Sequence, residues 1–167
     1  VASGSTDLLG CEALIRWVKP SGEMVSPEVF IPLAEYTGMI VDIGEWVISE
    51  ACRQVVRWDA QGMPGFRMGI NISAAQFREA DFVAKTARII TESGVDPARL
   101  EFEITESVAM EDPLSVANQL RELKALGLRV AVDDFGCGFS SLGSLNRLPF
   151  DRVKIDRAFV RELLGYP

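Results

Sequence analysis

Apolar positions along the chain follow two alternating rhythms. Behind Ser26 and Pro27, the residues Phe30, Ile31, Leu33 and Ala34 recur at helical spacing as far as Gly38. Serine followed by proline predicts a helix start, because proline at the first helical position gives up only an N–H that would be unpaired anyway. Ile43, Trp46, Val47, Ala51, Val55 and Trp58 predict a second helix that ends near Gly62, with the two tryptophans in its core stripe. Phe82, Val83, Ala87 and Ile90 outline a third up to Gly94. Pro113 to Gly127 gives a fourth, with Val116, Leu120, Leu123 and Leu126 on one face. Each segment stops at a glycine, the residue best suited to a left-handed helix end.

Between the helices lie short, mostly apolar runs: Leu9 to Trp17, Arg67 to Ile72, Leu100 to Ile104, Leu128 to Asp133 and Arg152 to Ile155. They read as buried strands. Strands alternating with helices predict parallel βα units, in either a doubly wound sheet or a TIM-type barrel. A closed barrel needs eight strands and about 250 residues. An incomplete α/β barrel therefore fits both the 167-residue length and the absence of an initiating methionine. No Ser/Gly-rich linker or low-complexity tract divides the chain, so one domain is expected over 1–167.

Composition narrows the chemistry. The net charge of −7 and the lack of a basic cluster argue against a nucleic-acid groove or an anionic membrane surface. Histidine is absent, which removes Ser-His-Asp triads, histidine bases and His-rich zinc sites together. Cys11, Cys52 and Cys137 are far apart and form no CxxC, so neither a disulfide framework nor a zinc site is expected, and a reducing compartment is. No apolar run approaches the roughly 20 residues that span a bilayer, and no signal peptide is apparent; a cytoplasmic location is expected. Carboxylates, amides, lysine, arginine or bound cations must do the work.

Each strand carries a charged or amide residue inside or just after its apolar run, and the set is Glu12, Asn71, Glu103, Asp133 with Asp134, and Lys154. Period-two alternation sets Asn71 opposite to Ile70 and Ile72, Glu103 opposite to Phe102 and Ile104, and Lys154 opposite to Val153 and Ile155. Five strands would thus aim oxygen ligands and one ammonium into a shared interior near their C-terminal ends, where α/β enzymes place their sites. Closely held carboxylates need a cation, and an all-oxygen set suits Mg²⁺, Mn²⁺ or Ca²⁺. Taken singly, each residue has a plainer reading. Glu12 and Asn71 could be satisfied polar residues, Lys154 could pair with Asp151 or Asp156, and Asp133-Asp134 could cap the glycine- and serine-containing turn that runs on through Ser141.

Glu12-Ala13-Leu14, continued by Ile15-Arg16-Trp17, resembles the signature of EAL domains. The resemblance runs on in order through Ser26 to Glu35, Asn71-Ile72-Ser73, Glu103-Ile104-Thr105-Glu106-Ser107, Asp133-Asp134-Phe135-Gly136 and Lys154-Ile155-Asp156. Six ordered blocks are far more specific than one tripeptide. The resemblance implies a TIM-like barrel that hydrolyses cyclic di-GMP to linear pGpG with two Mg²⁺ or Mn²⁺ ions, Ca²⁺ being inhibitory. It implies Glu12, Asn71, Glu103 and Asp133 as metal ligands, with Asp133 shared and Asp134 serving the second ion. Lys154 would contact the attacking water or scissile phosphate, Arg16 a ligand phosphate, and Glu106 would hold the loop after Asp134.

A homodimer and an adjoining sensory or GGDEF-type domain are implied as partners. Cys137 and Phe139 stand where the family usually has threonine and tyrosine. By the same resemblance, the first strand would lie before Val1 and the last two after Pro167, leaving this span by itself weakly active or inactive. A degenerate EAL domain serving as a cyclic di-GMP receptor, or as a regulatory or dimerisation module, remains the alternative.

Overall fold

The computed structural model describes residues 9–63, 65–136, 148–163 and 165. Five strands, β1 (Gly10–Ala13), β4 (Arg67–Asn71), β5 (Leu100–Thr105), β6 (Arg129–Phe135) and β7 (Arg152–Ile155), form one sheet. Every pairing is parallel, and the strands lie side by side in chain order. A doubly wound sheet would reverse direction at a switch point. This order only advances, as a barrel requires, and the curled sheet with its helices is an incomplete TIM-like barrel.

Helices follow the strands along the chain. These are α1 (Pro27–Thr37), α2 (Ile40–Ala60), the single turn α3 (Ala74–Phe77), α4 (Phe82–Ser93), α5 (Glu106–Glu111), α6 (Pro113–Ala125) and α7 (Arg157–Leu163). Asp112 caps α6 by accepting from the N–H groups of Leu114 and Ser115, and Pro113 fills the first helical position. Ser26 precedes α1 as expected, but its side chain makes no capping bond. The start rests on Pro27 and on the N–H groups of Val29 and Phe30, which donate to the Ser26 carbonyl. Gly38 and Gly94 end α1 and α4 in the left-handed conformation, whereas α2 and α6 are capped by Gln61 and Leu126, with the glycine one residue later.

The core lies between helices and sheet. Ile70, Leu100, Phe102, Ile104, Val130 and Val132 are essentially inaccessible and meet Ile48, Val55, Leu120 and Leu123 from the helices. Burying each such side chain contributes about 1.5–3 kcal/mol.

Two expectations are corrected. The first strand does not run to Trp17. It ends at Ala13, and β2 (Trp17–Val18) pairs antiparallel with β3 (Met24–Val25) as a separate hairpin. Trp46 is not core: it is 54% exposed, because its face of α2 turns towards α1 and the hairpin instead of the sheet. Trp58 does pack against the core, with its ring edge-on to Phe66 at 6.4 Å. Among the described residues, no helix is long and apolar enough to cross a membrane.

Candidate metal centre

The β4–β5 register places Asn71 beside Glu103, and the β5–β6 register places Thr105 beside Asp133. Alternation then turns Glu103 and Asp133 inward with Glu12 and Lys154. Carboxylate oxygens of Glu12, Glu103 and Asp133 lie within 4.8 Å of one another. The Lys154 Nζ reaches all three, at 2.6 Å from Asp133, 2.7 Å from Glu103 and 3.6 Å from Glu12. Asn71 joins through its Nδ2, which donates to Glu12 Oε1 at 2.6 Å and leaves the amide oxygen as a further acceptor. Asp151 instead pairs with Lys124 at 2.7 Å, so the reading of Lys154 as a simple partner of Asp151 is overturned.

Burial drives the electrostatics. Glu103 is 5% exposed, and burial pushes its carboxyl above the ordinary range; contact with Lys154 opposes the push, and the charges of Glu12 and Asp133 add to it. Burial by itself would lower Lys154, but its hydrogen bonds and charge contacts with Asp133 and Glu103 outweigh burial and hold it above the usual lysine value. Asp134 is raised by burial and then by the charges of Asp133 and Asp156. Three carboxylates face one ammonium, and Glu12, Glu103 and Lys154 of this group also line a cavity of about 320 Å³ shared with Gly69, Glu101 and Arg152. With every group charged, the cluster of Glu12, Glu103, Asp133 and Lys154 carries two negative charges in excess, and its donors are hard oxygens, so it fits a hard divalent cation.

Glu103 has room because residue 69 is glycine. A Cβ there would stand 2.7 Å from Glu103 Oε1. Asp134 follows Asp133 with a left-handed φ of 55°, its N–H donating to Asp133 Oδ1 at 2.8 Å. Glu106, 4% exposed at the start of α5, accepts from the Gly136 N–H at 2.8 Å. It therefore reaches the turn after Asp134.

Arg16 stands apart from the cluster. It is exposed, donates to the Ile15 carbonyl at 2.8 Å, and borders a separate apolar cavity of about 460 Å³ between Trp17, Phe30 and Trp46. Cys137, Phe139 and the serines up to Ser141 lie outside the described residues. Sequence reasoning missed a second interior pair, Glu101 with Arg152 at 2.9 Å. Each sits two positions before a site residue on its own strand, so the parity that singled out Glu103 and Lys154 also marks this pair.

The model of the EAL domain matches residues 1–166. The chain belongs to the EAL family. It is 44% identical over 156 residues to the bifunctional diguanylate cyclase/cyclic di-GMP phosphodiesterase MucR of Pseudomonas aeruginosa, covering 93% of this chain and 23% of that protein. It is 39% identical over 158 residues to the cyclic di-GMP phosphodiesterase PA2567 of the same organism, covering 95% of this chain and 27% of that protein. A solved structure of the MucR phosphodiesterase in complex with c-di-GMP superposes with a TM-score of 0.89 at 43% identity, over 95% of this chain and 64% of that one. This EAL chain thus spans about a quarter of the length of the curated relatives it matches.

Proposed function

We propose that this EAL chain supplies the catalytic face of a phosphodiesterase that hydrolyses cyclic di-GMP to linear pGpG. The observation that carries the reading is the convergence of Glu12, Glu103 and Asp133 around Lys154 at the C-terminal ends of parallel strands. Similarity to MucR and PA2567, both named as cyclic di-GMP phosphodiesterases, supports it.

In this reading Glu12, Asn71, Glu103 and Asp133 hold one cation, while Asp133 and Asp134 serve a second. Bound Mg²⁺ or Mn²⁺ supplies Lewis acidity to the scissile phosphate and the attacking water. Lys154 presents a protonated ammonium to the phosphate or to that water, and its two short carboxylate contacts fix where the ammonium points. Arg16 offers a guanidinium to a ligand phosphate, and Glu106 keeps the turn after Asp134 in shape. Ca²⁺ binds the same hard oxygens with looser geometry and inhibits. In the cell the domain works as a homodimer beside a sensory or GGDEF-type domain.

Calorimetry with cyclic di-GMP, with and without Mg²⁺, followed by chromatography for pGpG, tests the reading. Metal-dependent pGpG formation is expected. Binding without turnover would favour a receptor, and no binding a purely regulatory or dimerisation role.

A further inference from the structure

The turn that carries Asp134 is held by more than Glu106. Asp134 is an L-residue in the left-handed region, a conformation that costs free energy and persists only where the surroundings over-determine it. Two residues on, Gly136 has a φ of 102°, and a Cβ there would lie 2.4 Å from Phe159 Cγ and 2.8 Å from Phe159 Cδ2. The Phe159 ring thus fills the space against the Gly136 backbone. It also meets the Phe135 ring edge-on, with centroids 6.4 Å apart.

Phe159 reaches this point through a fixed path. The Asp156 N–H donates to the Phe135 carbonyl at 3.0 Å, tying the end of β7 to the end of β6. Asp156 Oδ1 then accepts from the Ala158 N–H at 2.6 Å, capping α7, which starts at Arg157 two residues before Phe159.

We propose that Phe159 is a positioning residue for Asp134: its ring wedges against Phe135 and Gly136 and keeps the Asp134–Gly136 turn in the strained shape that presents the Asp134 carboxylate beside Asp133. Phe159 touches neither substrate nor cation. Its effect passes through the turn, whose other anchor is the Gly136 N–H bond to Glu106. The proposal rests on the reading above, in which Asp134 serves the second cation.

The test uses the full natural protein with Phe159→Ala and Phe159→Leu. It combines amide hydrogen exchange over 133–136 with calorimetric titration of Mn²⁺. Phe159→Ala is expected to speed exchange at Gly136. It should also weaken the lower-affinity Mn²⁺ event by about tenfold or more, the size of effect typical of residues that orient metal ligands, while the tighter event stays within about threefold. In Phe159→Ala kcat should fall more than KM rises, and Phe159→Leu, which retains apolar bulk, should recover most of these losses. Unchanged exchange at Gly136 in Phe159→Ala, or equal weakening of both Mn²⁺ events, overturns the proposal. Should the wild-type protein take up a single Mn²⁺, the second-cation role of Asp134 fails, whereas exchange at Gly136 still decides whether Phe159 shapes the turn.

Discussion

A glutamate that is 5% exposed between two other carboxylates pays a desolvation cost that a nearby cation or its own protonation relieves. Lys154 offsets part of it, and the remaining excess charge suits the proposed role of Glu103 as a ligand of a dication. Glu103→Gln keeps shape and volume but removes one ligand charge. Turnover is therefore expected to fall by at least about 100-fold at saturating Mg²⁺, with the circular dichroism spectrum unchanged. Near-native turnover would remove Glu103 from the ligand set. Glu106→Gln makes the complementary case, since glutamine still offers an oxygen to the Gly136 N–H. Its expected loss of Mn²⁺ affinity, read by calorimetry, is smaller than that of Glu103→Gln; an equal loss would make Glu106 a ligand itself.

At the scale of elements, sequence patterns revealed whatever is periodic. Glu103 and Lys154 each break an apolar run with the parity of a buried strand, so their inward direction is legible in the sequence. The β2–β3 hairpin could not, because two-residue strands carry no period. Trp46 lies in the apolar spacing of α2, yet spacing reports a face and not what covers it. Arg16 was placed by motif alone, and the fold sets it outside the carboxylate cluster. Asp151 shows the same limit for ties between elements: it looked like a neighbour for Lys154 but instead anchors β6 and α6. Its Oδ2 accepts from the Val130 N–H at 2.9 Å and its Oδ1 from Lys124 at 2.7 Å.

Burial alone would raise the Asp151 carboxyl, but the Lys124 and Val130 hydrogen bonds more than compensate and hold it below its ordinary value. A depressed folded value contributes stability above the unfolded carboxylate range, about pH 3.9, and that contribution disappears as pH falls through the folded value. Asp151→Asn is expected to cost about 1–2 kcal/mol at pH 7. Urea denaturation at pH 7 and below about pH 4 should show the gap to wild type narrowing in acid. A gap that is independent of pH would mean that the charge of Asp151 contributes nothing.

At the scale of the whole molecule, the interior is built in two layers. Glu101 with Arg152 lies beneath Glu103 with Lys154, and Ala131 on the intervening strand pairs in register with both Glu103 and Arg152. A small residue there lets the ion pairs cross over β6. The same sheet has two lateral edges among the described residues: β1 pairs only with β4, and β7 only with β6. Unpaired N–H and C=O groups along a strand are a template for another chain. Ile155 adds an apolar side chain, 59% exposed, on β7. Residues 1–167 produced alone are therefore expected to self-associate with rising concentration, as followed by light scattering. Ile155→Lys should suppress the association, since a charge on an edge strand opposes strand addition. A concentration-independent monomer would show that neither edge is available for pairing, and association untouched by Ile155→Lys would move the contact away from β7.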